Sequence, residues 1–124
     1  MREEVQQAQI IYAQEKKAFF GLSFTHKNIT ISVIENVQDF MDKGDTLHHC
    51  LFTNGFYKKK NSLILSAKVD NASVETIEIS LKNMEIIKCR RMKNTASTHH
   101  RQILGLMSRN VYQIKELMKK KQIN

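Results

Sequence analysis

The strongest structural signal in the chain lies in residues 62–82, whose sequence is SLILSAKVDNASVETIEISLK. Every second residue from Leu63 to Val69 is apolar, and every second residue from Thr76 to Lys82 is polar. Side chains alternate between the two faces of a strand, so this pattern predicts two antiparallel strands joined by a turn at 70–71. The second strand should have one apolar face that is buried and one polar face that is exposed to solvent. After another turn at residue 83, residues 84–90 complete a predicted meander.

The segment before this meander begins with a predicted helix from Glu4 to about Phe19. Its apolar residues recur at helical spacing, and Gly21 should end it. Residues 22–26 and 28–31 are rich in β-forming side chains and predict two short strands joined near Lys27.

Ser32 and Glu35 have the spacing of a capping box, in which each side chain bonds the backbone N–H of the other residue. This pattern predicts a helix over Val33–Lys43, closed by Gly44 in a left-handed conformation.

Residues 48–61, HHCLFTNGFYKKKN, hold an unusual density of chemically active side chains. Asn54-Gly55 is the strongest two-residue hairpin signal because both residues tolerate a positive φ. We therefore predict a strand over His49–Phe52, a turn at Asn54-Gly55 and a short strand over Phe56–Lys58.

The end of the chain predicts a long amphipathic helix from about Thr98 to Lys120. Its apolar stripe, at steps of three and four residues, is Ile103, Met107, Val111, Ile114 and Met118. The whole pattern predicts a single α+β domain over residues 1–124, with an antiparallel sheet of five or six strands. Both terminal helices should cover its apolar face, and the short inserted helix should lie at one end.

Composition excludes several classes of protein. The chain has 124 residues, 41% of them hydrophobic, and no apolar run near the roughly 20 residues that cross a bilayer. The polar first residues do not resemble a signal peptide, which favours the cytoplasm and free thiols at Cys50 and Cys89. Residues 1–45 hold five basic and seven acidic side chains, and residues 46–124 hold fifteen and five. Such asymmetry favours an anionic partner, and nucleic acid is the commonest.

Several segments together resemble the PcfJ-like protein family, named for a protein encoded among the transfer genes of a conjugative plasmid. The resemblance spans roughly Ser32 to Val111. It rests on the segments DKGDTLHHC (42–50), TNGFYKKKNSLILSAKV (53–69) and VETIEISLKNMEIIKCRRMKN (74–94). It implies an origin on bacterial mobile elements and an accessory role in handling transfer DNA, and it supplies no settled enzymatic activity.

Our leading functional prediction is a non-catalytic, DNA-binding domain that contacts phosphates through one sheet face and the 48–61 hairpin. The predicted contact residues are Tyr57, Lys58, Lys59, Lys60, Lys82, Lys88, Arg90, Arg91 and Lys93. Lysines and arginines supply phosphate contacts, and an aromatic ring can stack on an unpaired base. No cofactor and no membrane contact are expected.

Two alternatives remain open at this stage. The domain could bind proteins of a DNA-transfer complex. It could also be a metal-dependent phosphodiester hydrolase with His49, Cys50 or Glu78 as candidate catalytic residues, although Glu75 and Glu78 should lie on opposite faces of the sheet. Zinc donors are present at residues 48–50, 89, 99 and 100, but their spacing matches no short zinc motif, so no metal site is predicted.

Overall fold

The computed structural model describes residues 2–40, 55, 58–90 and 96–123. The first helix is followed by a 3₁₀ turn over Lys17–Phe19, and five strands and two further helices complete the described chain. In chain order, the elements are α1 (Arg2–Lys16), β1 (Ser23–His26), β2 (Ile29–Val33), α2 (Val37–Phe40), β3 (Ser62–Val69), β4 (Ala72–Ser80), β5 (Ile86–Arg90) and α3 (His100–Ile123).

The five strands form one antiparallel meander in the order β1-β2-β3-β4-β5. Tight turns join β1 to β2 and β3 to β4 where the sequence predicts them, whereas residues 34–61, which include α2, connect β2 to β3. Lys27 has a φ of 54°, and Asp70 and Asn71 have φ values of 52° and 69°. The two consecutive positive φ values at residues 70–71 match the twist of a two-residue hairpin. The element order and the strand pairing confirm the predicted α+β class and the meander.

One face of the sheet packs against α3. Leu63, Leu65 and Ile77 are fully buried in this layer, and so are Ile103 and Met107 of the helix. The predicted apolar stripe of the last helix therefore does face the sheet. The helix begins two residues later than predicted and continues to Ile123.

The opposite face is covered by a second, smaller cluster. Tyr12 of α1 packs there with Ile34, Val37, Phe40 and Ile64. The prediction that both terminal helices share one apolar face is wrong, because α1 and α3 lie on opposite sides. The sequence did not indicate a second buried layer, because β3 carries only one apolar residue, Ile64, on its otherwise polar side.

The capping box predicted at Ser32 does not form. Ser32 lies in β2 and pairs with Ser66 of β3, and the Glu35 carboxylate accepts a hydrogen bond from the Gly21 N–H at 2.6 Å. The inserted helix begins at Val37 instead, where the backbone N–H donates to Oε1 of Gln9 on α1 at 2.7 Å. A long-range side chain thus replaces the local cap. The predicted end of this helix, 41–44, lies outside the described residues.

Two further predictions need correction. The face of β4 that was predicted to be solvent-exposed is buried, because Thr76 and Glu78 are only 8% and 5% exposed. Lys58 is not in a strand but in a tight turn, where its N–H donates to the Gly55 carbonyl at 3.0 Å. The strand predicted over 49–52 lies outside the described residues. Across the described parts of the chain, no helix is long and apolar enough to span a membrane.

Candidate functional site

Glu78 is the predicted catalytic candidate that the structure describes, and its carboxylate is already engaged. Its Oε2 accepts hydrogen bonds from the Ser62 hydroxyl at 2.6 Å and from the Lys59 ammonium at 3.1 Å. Glu78 and Glu75 point to opposite faces of β4, so they cannot share a metal ion. Of the other candidates, His49 and Cys50 lie outside the described residues.

The three consecutive lysines of the predicted contact set, residues 58–60, are all exposed. Their backbone is held by Lys16 of α1, whose ammonium donates to the carbonyls of Lys59 and Lys60 at 2.9 Å each. Lys16 itself is only 2% exposed. Burial lowers the pKa of its side chain to about 8 from an ordinary value of 10.5.

The other predicted contact residues that the structure describes lie in β5 and in the turn after β4. Lys88 is exposed and pairs in register with Glu78. Lys82 lines a cleft of about 420 Å³ beside α3, together with Lys115 and Lys119. The backbone of Arg90 lies in β5, and the remaining predicted contacts, Tyr57, Arg91 and Lys93, lie outside the described residues.

The outward side of α3 carries a basic surface that the sequence interpretation did not identify. We call it the α3 basic face and define it by Arg101, Arg109, Lys115, Lys119 and Lys120, which are all exposed. The inward stripe was recognised from its period, and the same period could have placed these cations together on the other side.

The aromatic ring of Tyr112 interrupts the α3 basic face. It is 61% exposed, the largest value among the exposed large hydrophobic side chains of the described residues. A phenol ring surrounded by cations can stack on a nucleobase while the cations contact phosphates.

A buried cluster of mixed chemistry lies on the other side of α3, where the helix begins. Oε1 of Glu75 accepts hydrogen bonds from the Cys89 thiol at 3.0 Å and from Nδ1 of His100 at 2.8 Å. Its Oε2 accepts the backbone N–H of Ser97 at 2.7 Å. Glu75 is fully buried and Cys89, a free thiol, is 3% exposed. We call these three side chains the Glu75-Cys89-His100 cluster.

The electrostatics of this cluster follow from its hydrogen bonds. Burial alone raises the pKa of Glu75, but the bonds from Cys89, Ser97 and His100 stabilise the carboxylate and together lower its pKa. Glu75 is therefore an anion in a layer of otherwise apolar side chains, and donors on three sides offset its desolvation.

The zinc donors noted from the sequence include Cys89 and His100, but Glu75 is not among them. Cys89 and His100 follow Glu75 by 14 and 25 positions. Adjacent strands bring Glu75 and Cys89 together, and the position of α3 adds His100. No short motif could have revealed the cluster.

The geometry defines a small α+β domain with a basic outer helix and a buried Glu-Cys-His cluster. The family model described as PcfJ-like protein matches residues 1–104 of this chain. The chain belongs to the PcfJ-like protein family, as the sequence resemblance indicates. The match ends within α3, so most cations of the α3 basic face lie beyond the matched range. No match to a curated protein or to a solved structure is found.

Proposed function

We propose that this domain binds nucleic acid, preferentially DNA, as a non-catalytic accessory component of a conjugative or other mobile element in the bacterial cytoplasm. The α3 basic face carries the proposal. Helix α3 holds six lysine and arginine residues and one acidic residue, a net charge of +5, whereas the whole chain has +8. Helix α1 holds two basic and three acidic residues, a net charge of −1. The positive charge is thus concentrated on one element.

The dimensions of α3 suit an extended polyanion. Arg101 and Lys119 are 18 positions apart, a distance of about 27 Å along a helix. Phosphates of one DNA strand advance about 3.4 Å per nucleotide along the duplex axis, so the face is as long as roughly eight nucleotides. Several cations can therefore contact one strand at the same time.

The cleft beside α3 extends the basic surface toward the sheet. Lys82, in the turn after β4, lines it with Lys115 and Lys119, and the methionines Met84 and Met118 form part of its walls. Lys82 belongs to the contact set predicted from sequence. Three ammonium groups around one concavity favour a phosphate oxygen over a neutral ligand.

The family context favours DNA among polyanions. The resemblance to PcfJ-like proteins connects this chain to genes for plasmid transfer, a process in which DNA is the cargo. An acidic protein is the competing class of partner, and it would present carboxylates to the same cations.

Fluorescence anisotropy with labelled single-stranded and duplex DNA over a range of salt concentrations tests the proposal. Phosphate-dominated binding should weaken linearly on logarithmic axes, with a slope of about −0.9 per contact for duplex and about −0.7 for single strands. Reactions with EDTA and with Mg²⁺, followed by a gel of the probe, measure hydrolysis separately. An intact probe with salt-sensitive binding is the expected result.

Two triple variants with equal charge change locate the surface. Replacing Lys82, Lys115 and Lys119 with alanine should reduce the duplex slope by about 2 to 3. Replacing residues 58–60 with alanine is the matched comparison, because it also removes three exposed lysines. If the first variant retains the parent slope and the second does not, DNA binds at the 58–60 segment. Absence of binding by the parent at low salt contradicts the proposal and favours a protein partner.

A further inference from the structure

The Glu75-Cys89-His100 cluster has the composition and the closeness of a metal site. The ligand atoms, one carboxylate oxygen, one thiol sulfur and one imidazole nitrogen, all lie within 4.8 Å of one another. We propose that this cluster binds a zinc ion through Glu75, Cys89 and His100, with water as the fourth ligand. This proposal is independent of nucleic-acid binding.

The distances require only a small adjustment to reach zinc geometry. Zinc bonds to sulfur, nitrogen and oxygen are about 2.0–2.3 Å long, so neighbouring ligand atoms of a tetrahedral site are about 3.3–3.7 Å apart. Cys89 Sγ and His100 Nδ1 lie 3.0 Å and 2.8 Å from the same carboxylate oxygen. These two pairs must therefore separate by about half an ångström, and the third pair, Cys89 Sγ and His100 Nδ1, lies within 4.8 Å.

Charge and proton balance favour a divalent ion at this position. Zinc binds Cys89 as a thiolate, so the thiol proton goes to solvent. It binds the Nδ1 lone pair of His100, whose ring then carries its proton on Nε2. The thiolate and the Glu75 carboxylate together contribute two negative charges, which neutralise the ion. A neutral complex is the form that a buried layer accepts at least cost.

The surroundings of the cluster already orient its ligands. The Ser97 N–H bonds Oε2 of Glu75, which leaves Oε1 to face the other two donors. Hydrogen bonds of this kind fix ligand orientation in metal sites. The His100 side chain is 19% exposed, so an ion can reach it from solvent. Helix α3 begins at His100, and the dipole at a partly buried helix start weakens cation binding by up to about 30-fold.

The carboxylate position is unusual for a residue with only a packing role. Glu75 pairs in register with Ala67 of β3, and its side chain lies on the apolar face with Ile77 and Ile79. An aliphatic side chain would suit this layer without requiring any donor. The carboxylate instead gathers a thiol and an imidazole, which are the two side-chain types that zinc prefers.

Cobalt substitution tests the site directly. Purified parent protein is reduced, stripped of metal with EDTA and dialysed, and Co²⁺ is then added in steps. A thiolate-to-cobalt charge-transfer band, together with the visible bands of tetrahedral cobalt, should saturate at one ion per chain. Zn²⁺ should remove both signals and raise the unfolding temperature of the protein.

Matched variants assign the ligands. Cys89→Ser should abolish the charge-transfer band and weaken zinc binding by at least about 100-fold, whereas Cys50→Ser, at the other cysteine of the chain, should preserve both. Glu75→Gln should weaken binding at least about tenfold. Glu78→Gln, at a buried carboxylate on the opposite face of the sheet, should leave zinc binding unchanged. Circular dichroism checks that each variant folds.

Three results would overturn the proposal. The first is a parent protein that shows no thiolate band and no zinc-dependent change in unfolding temperature. The second is unchanged cobalt binding by Cys89→Ser. The third is loss of the band in Cys50→Ser, because that would place the ion at a different thiol. If Glu75→Gln does not fold, the cysteine pair and the parent titration still decide between these results.

Discussion

Lys16 provides a test of the packing between α1 and the 59–60 backbone. The side chain is 2% exposed, and its ammonium donates to two carbonyl oxygens, at 2.9 Å each. Burial lowers its pKa to about 8, whereas its ordinary value is 10.5. Between these two values the unfolded chain holds a proton that the folded protein has released. The free energy of unfolding should therefore rise with pH in this range.

The size of this effect follows from the two pKa values. The Lys16 contribution to the free energy of unfolding should increase by about 2 kcal/mol between about pH 7 and about pH 9.5. Higher pH is avoided because burial, together with Glu35 and Asp39, raises the pKa of Tyr12. Above about pH 10 Tyr12 ionises in the unfolded chain before it does so in the folded protein, and the free energy of unfolding then falls.

The perturbation is Lys16→Met, which keeps the length of the side chain and removes the titrating group. Urea unfolding followed by circular dichroism gives the free energy of unfolding at each pH, and the chain has no tryptophan for a fluorescence assay. Lys17→Met is the matched control, because Lys17 is the next residue and is exposed. The parent and the control should gain about 2 kcal/mol relative to Lys16→Met over this pH range. Parallel pH profiles for parent and Lys16→Met would refute the reasoning.

Three smaller changes test other parts of the fold by the same urea assay. Tyr12→Phe removes the hydroxyl that donates to the Ile34 carbonyl and should cost about 1–2 kcal/mol, because the carbonyl loses a buried partner; no loss would contradict this role. Gly21→Ala should cost about 1–2 kcal/mol, since Gly21 has a φ of 87° and only backbone strain is added; a neutral effect would argue against that conformation. Gly105→Ala should stabilise α3 by up to about 1 kcal/mol, because the new methyl group meets only the flexible end of Arg109 at 3.2 Å; destabilisation would indicate that this contact is rigid.

The sheet could be predicted from sequence because its signals are local. A strand needs a period of two, and each turn needs residues that tolerate the required φ. Asp70 and Asn71 meet this requirement, and so does Lys27 in the structure. Such signals involve neighbouring residues, so one sequence is enough to locate these five strands along the chain. Their order in the sheet is set by tertiary pairing.

The failure at Ser32 shows why local signals are not always sufficient. A capping box satisfies two backbone groups, but strand pairing with both neighbours satisfies more of the backbone. Ser32 pairs with Ser23 on one side and Ser66 on the other. The choice between helix and strand at this position therefore depends on residues that are distant in sequence. Gln9 then supplies a cap for the helix that begins later.

The candidate site was predicted less completely because it depends on which faces of the elements become buried. Lys82 was identified as a cation, but its placement beside Lys115 requires the docking of α3 on the sheet. In the same way, Cys89 and His100 were recognised as donors without Glu75. Charge and donor type can be taken from sequence, whereas proximity comes from tertiary packing.

The two buried glutamates of β4 show how one strand can serve two separate layers. Glu75 and Glu78 are three positions apart, so their side chains enter opposite faces of the sheet. Glu78 is compensated by the Lys59 ammonium and the Ser62 hydroxyl, so its charge is already balanced by a fixed cation. Glu75 instead accepts hydrogen bonds from the Cys89 thiol, the Ser97 N–H and Nδ1 of His100, and no lysine or arginine is among these donors in the described part of the chain. Of the two carboxylates, Glu75 is thus the one that has a thiol and an imidazole beside it, and comparing Glu75→Gln with Glu78→Gln tests whether a metal ion binds there.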